Sequence, residues 1–296
     1  MRKRPMYFQL LTSFLVLQSL FSCTVETVNH NTFSEIKSSP GKKAKSLKDT
    51  TSFTLAGRFN TPLHAIRTEV DSSSFGTYLR NLPLKKEGAQ VKYYDGDFKY
   101  NASVYCAVVD LPIGQKDLHQ CADAVMRFRA EYLWEQKRYD EIHFNFTNGF
   151  RVDYTQWMKG KRIRVSGNKV EWVQRAQASN TYHDFWEYME CIFTYAGTLS
   201  LSRELNPIPL NEMQIGDVII KGGSPGHAVL VVDMAQDTLT QKHYFMLAQS
   251  YMPAQETQIL VNPNIPGANP WYCLEDIEDK IYTPEWTFAR ESLMRF

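Results

Sequence analysis

The chain has 296 residues, a formal net charge of +1, 22% charged residues and 43% hydrophobic residues. That balance suits a globular domain and leaves no electrostatic footprint for nucleic acid; the one basic cluster, Lys159 to Arg164, reads as an exposed hairpin. Five cysteines with no Cys-x-x-Cys spacing, and no His-Glu-x-x-His, supply no metal motif, and no cofactor is expected.

The N-terminus reads Arg2-Lys3-Arg4, an apolar run from Tyr7 through Phe21, and then Leu20-Phe21-Ser22-Cys23. This is the order of a bacterial secretory signal closed by a lipobox. The run is interrupted by Gln9, Thr12, Ser13 and Gln18 and is short for a membrane span of about 20 residues. The expectation is a signal peptide over 1–22, lipidation at Cys23, and a flexible tether over 23–52 whose Ser, Lys, Thr and Asn cannot bury enough surface to order it. The lipid would hold the protein at the membrane, in the cell envelope on the outer-membrane or periplasmic face. Residues 53–296 contain no internal linker or repeat and read as a single globular domain.

In chain order, Ser74 to Leu82 reads as a short helix stopped by Pro83, Val91 to Tyr94 as a strand entering a turn at Asp95-Gly96, and Val104 to Leu111 as a buried strand. The best-defined helix follows. Asp117 is its expected N-cap with Gln120 as capping-box partner, and Leu118, Cys121, Ala122, Val125 and Tyr132 keep helical spacing toward Tyr139. Ile142 to Phe146 suits a strand, and Ile163 to Val165 with Val170 to Val173 a hairpin around Ser166-Gly167-Asn168. A second helix is predicted after Thr181, with Asp184 as capping acid and Phe185, Tyr188, Met189, Ile192 and Tyr195 on one face; Gly197 then marks a close contact or bend. Four strands come last, Asp217 to Ile220, His227 to Asp233, Tyr244 to Gln249 and Gln258 to Val261, before an irregular proline-rich end. Helices first and paired strands later argue for an α+β fold with an antiparallel sheet.

Cys121 falls in the first turn of its helix, where free backbone N–H groups and the dipole favour thiolate. The plain alternative is a small buried hydrophobe, or a disulfide among Cys106, Cys121, Cys191 and Cys273, with Cys106 as one partner open to Cys121, as an oxidising location permits. His227 follows Gly222-Gly223-Ser224-Pro225-Gly226, which sets it at a loop edge, the position from which an imidazole serves as base to a thiol. Gln249, ending the next strand, is placed to orient the far ring nitrogen, whereas Asp233 reads as a strand-end cap and Asp217 as a turn-fixing residue. The Cys121 N–H is the expected first oxyanion donor, with Gln115 or Gln120 as the second.

Gln120-Cys121-Ala122-Asp123-Ala124, Ile215-Gly216-Asp217-Val218-Ile219, Gly226-His227-Ala228-Val229-Leu230-Val231 and the polar Gln249 stand in the order Cys, His, polar. The layout resembles the papain-like superfold of NlpC-type cell-wall peptidases and amidases. That resemblance implies a nucleophile helix packed on an antiparallel sheet, an insertion between that helix and the His strand, and an oxyanion role for Gln115, six residues before Cys121. NlpC-type enzymes usually carry Asp-Cys-Ser-Gly where this chain has Gln120-Cys121-Ala122-Asp123. Over about residues 75 to 296 the chain is also similar to a family of bacterial envelope lipoproteins, domain of unknown function 4846. The similarity runs through Tyr78-Leu79-Arg80-Asn81-Leu82-Pro83-Leu84, Gln120-Cys121-Ala122-Asp123-Ala124-Val125-Met126-Arg127, Phe144-Asn145-Phe146-Thr147-Asn148-Gly149 and Ala248-Gln249-Ser250-Tyr251-Met252-Pro253.

The expected function is therefore an envelope-anchored cysteine hydrolase acting on cell-wall peptide or another amide. The alternative is a non-catalytic envelope lipoprotein that binds a glycan, peptide or protein partner through the same cleft.

Overall fold

The run Ala228-Val229-Leu230-Val231-Val232 has no polar residue to turn toward water on either side, so it must be covered on both faces. In the computed structural model, which describes residues 46–296, it lies in the strand His227–Asp237, buried along nearly its whole length. Among the described residues the main sheet runs Tyr105–Val108, Gln258–Leu260, His243–Gln249, His227–Asp237, Val218–Lys221, Leu293–Arg295 and Asn206–Pro207. Ala65–Arg67 adds to the central strand and Tyr272–Cys273 to His243–Gln249. The pairings are antiparallel, so the fold is α+β with an antiparallel sheet.

Alternate side chains of the central strand enter two cores. Ala228, Leu230 and Val232 join the core formed with the helices, while Val229 and Val231 pack with Phe245 and Leu247 and with Ile281, Phe288 and Leu293 from the C-terminal segment. The alternation breaks where pairing skips from Val231–Leu247 to Asp233–Met246, a β-bulge. Asp233 is there fully buried and ion-paired to Arg67 at 2.7 Å and Arg80 at 2.6 Å. It is not a strand-end cap: the strand continues to Asp237, and a buried carboxylate demands charged partners. Asp217 does fix its turn, accepting the Gln214 N–H at 2.7 Å.

The helix Phe75–Arg80 starts at Ser74, whose hydroxyl accepts the Thr77 N–H at 3.2 Å. The long helix is Cys121–Glu135, capped by Gln120 rather than Asp117. The Gln120 N–H donates to Asp123 at 3.0 Å, so the reciprocal acid is Asp123, three residues after the cap. Asp117 accepts from the Ala254 N–H at 2.6 Å and the Gln120 amide at 3.1 Å, fastening the helix entry to a distant loop. Between this helix and the His227 strand lie two hairpins, His143–Asn145 with Arg151–Asp153 and Lys161–Ser166 with Lys169–Gln174, and the helices Tyr182–Tyr195 and Thr198–Glu204.

Tyr182–Tyr195 buries Phe185, Tyr188, Met189, Ile192 and Phe193, whereas Tyr195, at the helix end, is exposed rather than on the buried face. Gly197 opens the next helix and is no close contact, since an added Cβ would meet nothing within 4 Å. The C-terminal segment is more ordered than its prolines suggest. Lys280–Tyr282 and Thr287–Ala289 form a hairpin, and Leu293–Arg295 pairs with Val218–Lys221. These runs of three residues are too short to show a period in sequence.

The described residues, 46–296, belong to one compact unit. Residues 46–52, expected in the tether, fold onto it: Lys48 bridges Phe59, and its ammonium reaches Glu87 at 2.8 Å and the Cys106 carbonyl at 3.1 Å. The signal peptide and Cys23 lie outside the described residues. Cys106, Cys121, Cys191 and Cys273 are all free thiols, so the disulfide alternative for Cys121 is not formed.

A candidate cysteine–histidine cleft

Cys121 is the first residue of its helix, among the positions whose N–H has no intrahelical acceptor. His227 is the first residue of the central strand, delivered by the glycine-rich turn before it. At Gly226 an added Cβ would fall 2.4 Å from the Gly223 carbonyl and 2.8 Å from that of Lys221. Only glycine lets the turn fold this tightly. Both residues line one cavity of about 420 Å³, with Asp117, Gln120, Asp123, Phe193, Tyr251 and Trp286 among its walls. The backbone of Ala228, next to His227, favours the Cys121 thiolate.

Gln249 is where the sequence placed it. Its Oε1 is 2.8 Å from His227 Nε2, on the neighbouring strand. Its Nε2 donates to Glu285 at 2.7 Å. Glu285 in turn accepts from Lys99 at 2.8 and 3.0 Å, and Lys99 also donates to Gln255 at 3.0 Å. The imidazole is packed among Tyr251, Trp286 and Phe288, with ring centroids 4.8, 5.3 and 5.8 Å away.

The two oxyanion candidates separate. Gln120 lines the cleft, its amide tied to Asp117. Gln115 is exposed, outside the cleft walls, on a loop that turns at Gly114 with φ 78°. It cannot serve the role its spacing suggested, because that role requires a side chain at the helix entry and the loop holds this one in solvent.

The electrostatics correct a second expectation. Cys121 is only 7% exposed, and burial, followed by the neighbouring Asp123, pushes its thiol up to about 11 despite the backbone hydrogen bonds that favour thiolate. The dipole argument fixes the sign of one contribution but not the desolvation that outweighs it. Burial likewise drives His227 down to about 4, against the Gln249 hydrogen bond that raises it, with Lys99 lowering it further. Asp123 is raised to about 8 by burial. At neutral pH the cleft therefore holds a thiol, a neutral imidazole and a mostly protonated carboxyl.

Sequence reading missed Lys99, Asp123, Glu285 and the aromatic wall. Asp123 carried a signal, as the acid three residues after a helix cap; the others stand on loops or, for Phe288, on a three-residue strand, with no motif. His119, two residues before Cys121, is a different kind of histidine. It is wholly buried, its Nδ1 is 3.2 Å from the Gln255 carbonyl, and it is absent from the cleft walls. A larger cavity of about 520 Å³, lined by Asn262, Cys273, Asp276, Glu278 and Asp279, lies on the C-terminal segment and shares no residue with the cleft. Among the described residues no group of three or more His, Cys, Asp or Glu side chains is placed to hold a metal, and no helix is long and apolar enough to cross a membrane.

The molecule is thus a mixed α/β protein built on an antiparallel sheet, with a cysteine and a histidine lining one cleft and a glutamine hydrogen-bonded to the histidine from the neighbouring strand. It belongs to the family described as domain of unknown function 4846, which it matches over residues 55–295. No curated protein and no solved structure matches the chain.

Proposed function

We propose that this protein is a cysteine hydrolase of papain-like layout that cleaves an amide or peptide bond, with cell-wall peptide as the substrate class and the lipid-anchored cell envelope as its place of work. The observation that carries the reading is the shared cleft: Cys121 at a helix start, His227 at a strand start, and Gln249 on His227 Nε2.

With Nε2 engaged by Gln249, Nδ1 is the nitrogen left to exchange a proton with the thiol. The Cys121 sulfur attacks the carbonyl carbon as its proton passes to His227, and the Cys121 N–H, with Gln120 beside it, faces the developing oxyanion. His227 returns the proton to the leaving nitrogen as the C–N bond breaks. A water then repeats the cycle on the thioester, giving its proton through His227 to the sulfur. Because thiol and imidazole are both neutral at rest, His227 acts as a general base during attack rather than as half of a standing ion pair.

A second reading, binding of a glycan, peptide or protein partner without turnover, is favoured by the same burial, since His227 is only 1% exposed. Cys121→Ala and His227→Ala in the full chain separate the two. Hydrolysis of muropeptides or acyl-amide probes is expected to vanish in both variants. Unchanged turnover in both overturns the mechanism, and ligand binding that survives loss of the thiol without any wild-type turnover selects the binding module.

A further inference from the structure

A glutamine amide presents an acceptor at one end and two donors at the other, so on its own it can meet an imidazole either way round. Gln249 is not on its own. Its far end meets Glu285, a carboxylate held by two contacts to the Lys99 ammonium at 2.8 and 3.0 Å. An ionised carboxylate only accepts, so the end of Gln249 facing it must be the NH2 group. Oε1 then faces His227 Nε2, and an oxygen there requires that Nε2 carry the ring proton. Turning the amide over would set a carbonyl oxygen against a carboxylate in a largely dry site, whichever ring nitrogen carried the proton.

The placement of Glu285 is built rather than incidental. It stands at the tip of the hairpin Lys280–Tyr282/Thr287–Ala289, closed by the Thr283 N–H on the Trp286 carbonyl at 2.9 Å. The same tip lays Trp286 and Phe288 beside the His227 ring. Lys99 is almost completely buried, spans the Tyr251 ring at 5.4 Å and is held by Gln255.

We infer that the Lys99–Glu285 pair is a positioning device: through Gln249 it locks the protonated nitrogen of His227 at Nε2 and leaves Nδ1 unprotonated to receive the thiol proton. Glu285 and Lys99 are positioning residues, acting two and three links away from the ring. The inference rests on the hydrolase reading for its purpose but not for its test, because the tautomer can be observed without turnover.

The experiment is nitrogen-15 NMR of the His227 ring in the full chain, with steady-state kinetics on the same samples. The wild type is expected to show the Nε2–H tautomer. Glu285→Gln keeps a side-chain acceptor for Lys99 but offers Gln249 a donor as well as an acceptor, so the amide can turn and the Nδ1–H tautomer should become populated. Turnover should then fall about 10- to 1000-fold in kcat with KM little changed, below the roughly 10⁴-fold that a fixed wrong tautomer costs a catalytic triad. Glu285→Asp should restore the wild-type tautomer.

The double variant Lys99→Met/Glu285→Gln removes both charges together. It guards against misfolding from an unpaired lysine, and it should show the same tautomer mixture as Glu285→Gln. A merely structural ion pair predicts instead that the double variant behaves as wild type. An unchanged Nε2–H tautomer in folded Glu285→Gln, or a kinetic loss confined to KM, overturns the inference. The expected tautomer response in a wild type that turns over no amide substrate sustains the relay and overturns the hydrolase.

Discussion

Cys121 and His227 owe their protonation states to opposite halves of one rule: burial disfavours whichever form is charged. It raises the thiol to about 11 and lowers the imidazole to about 4. The consequence is measurable with the free protein. An ordinary thiol stops gaining reactivity with pH above its pKa of about 8.5. Alkylation of Cys121 by iodoacetamide, followed by peptide mass spectrometry, should still be accelerating beyond that point as pH rises toward about 11. A plateau below pH 8 would return the thiol to the dipole-activated state that the sequence suggested. The residue pair itself was legible in the sequence because a helix start and a glycine-rich strand start are local signals. Its charge state was not, since desolvation depends on Asp123, the Ala228 backbone and the aromatic wall packed around it.

At the level of elements, the site depends on how the turn 222–226 hands His227 to the central strand. Gly226 has no room for a side chain, its nearest obstacles being two backbone carbonyls and the Thr198 hydroxyl. Gly226→Ala must move main chain rather than a flexible side-chain end. We expect a loss of about 1–3 kcal/mol, measured by denaturant unfolding, and, on the proposed hydrolase reading, reduced turnover because the imidazole shifts relative to Cys121. A variant as stable and as active as wild type would show that the turn does not set the histidine. The sequence made the turn visible through its glycines and proline. The helix start was one step less visible: Asp117 and Gln120 satisfy the same capping pattern as Gln120 and Asp123, and only the fixed hydrogen bonds from Ala254 and Gln120 show which pair does the capping.

For the whole molecule, three buried titratable groups link stability to pH with opposite signs. His119 is depressed to about 3, by burial and then by Arg127, and His227 to about 4. Unfolded histidine titrates near 6.5. As pH falls below that value the unfolded chain takes up protons that the folded protein refuses, so stability is full above pH 6.5 and is lost progressively down to about 4 and about 3. Asp123 runs the other way. Its folded value of about 8 lies above the unfolded value of about 3.9, so its contribution is full below about pH 3.9 and declines as pH rises to about 8. Asp123→Asn keeps an acceptor for the Gln120 N–H and removes the ionisation. Thermal unfolding across this range should show the variant losing less stability than wild type between pH 4 and 8, while the acid limb from the histidines persists. Parallel curves for the two proteins would mean that Asp123 ionises normally in the fold.

The sequence by itself determined five of the nine strands of the sheet, the two long helices and the placing of Cys121 at a helix start and of His227 and Gln249 on neighbouring strands, because hydrophobic period, capping residues and glycine turns act over a few residues. Tertiary structure alone decided the rest. Lys99 and Glu285 stand 186 positions apart and meet only when the C-terminal hairpin closes over the sheet. Gln115 has the right spacing but is held in solvent, and Asp233 becomes a buried anchor because Arg67 and Arg80 reach it. The physical reason is common to all of them. Spacing along the chain sets which side chains share an element, whereas desolvation, amide orientation and ion pairing depend on what the other elements bring to the same few ångströms.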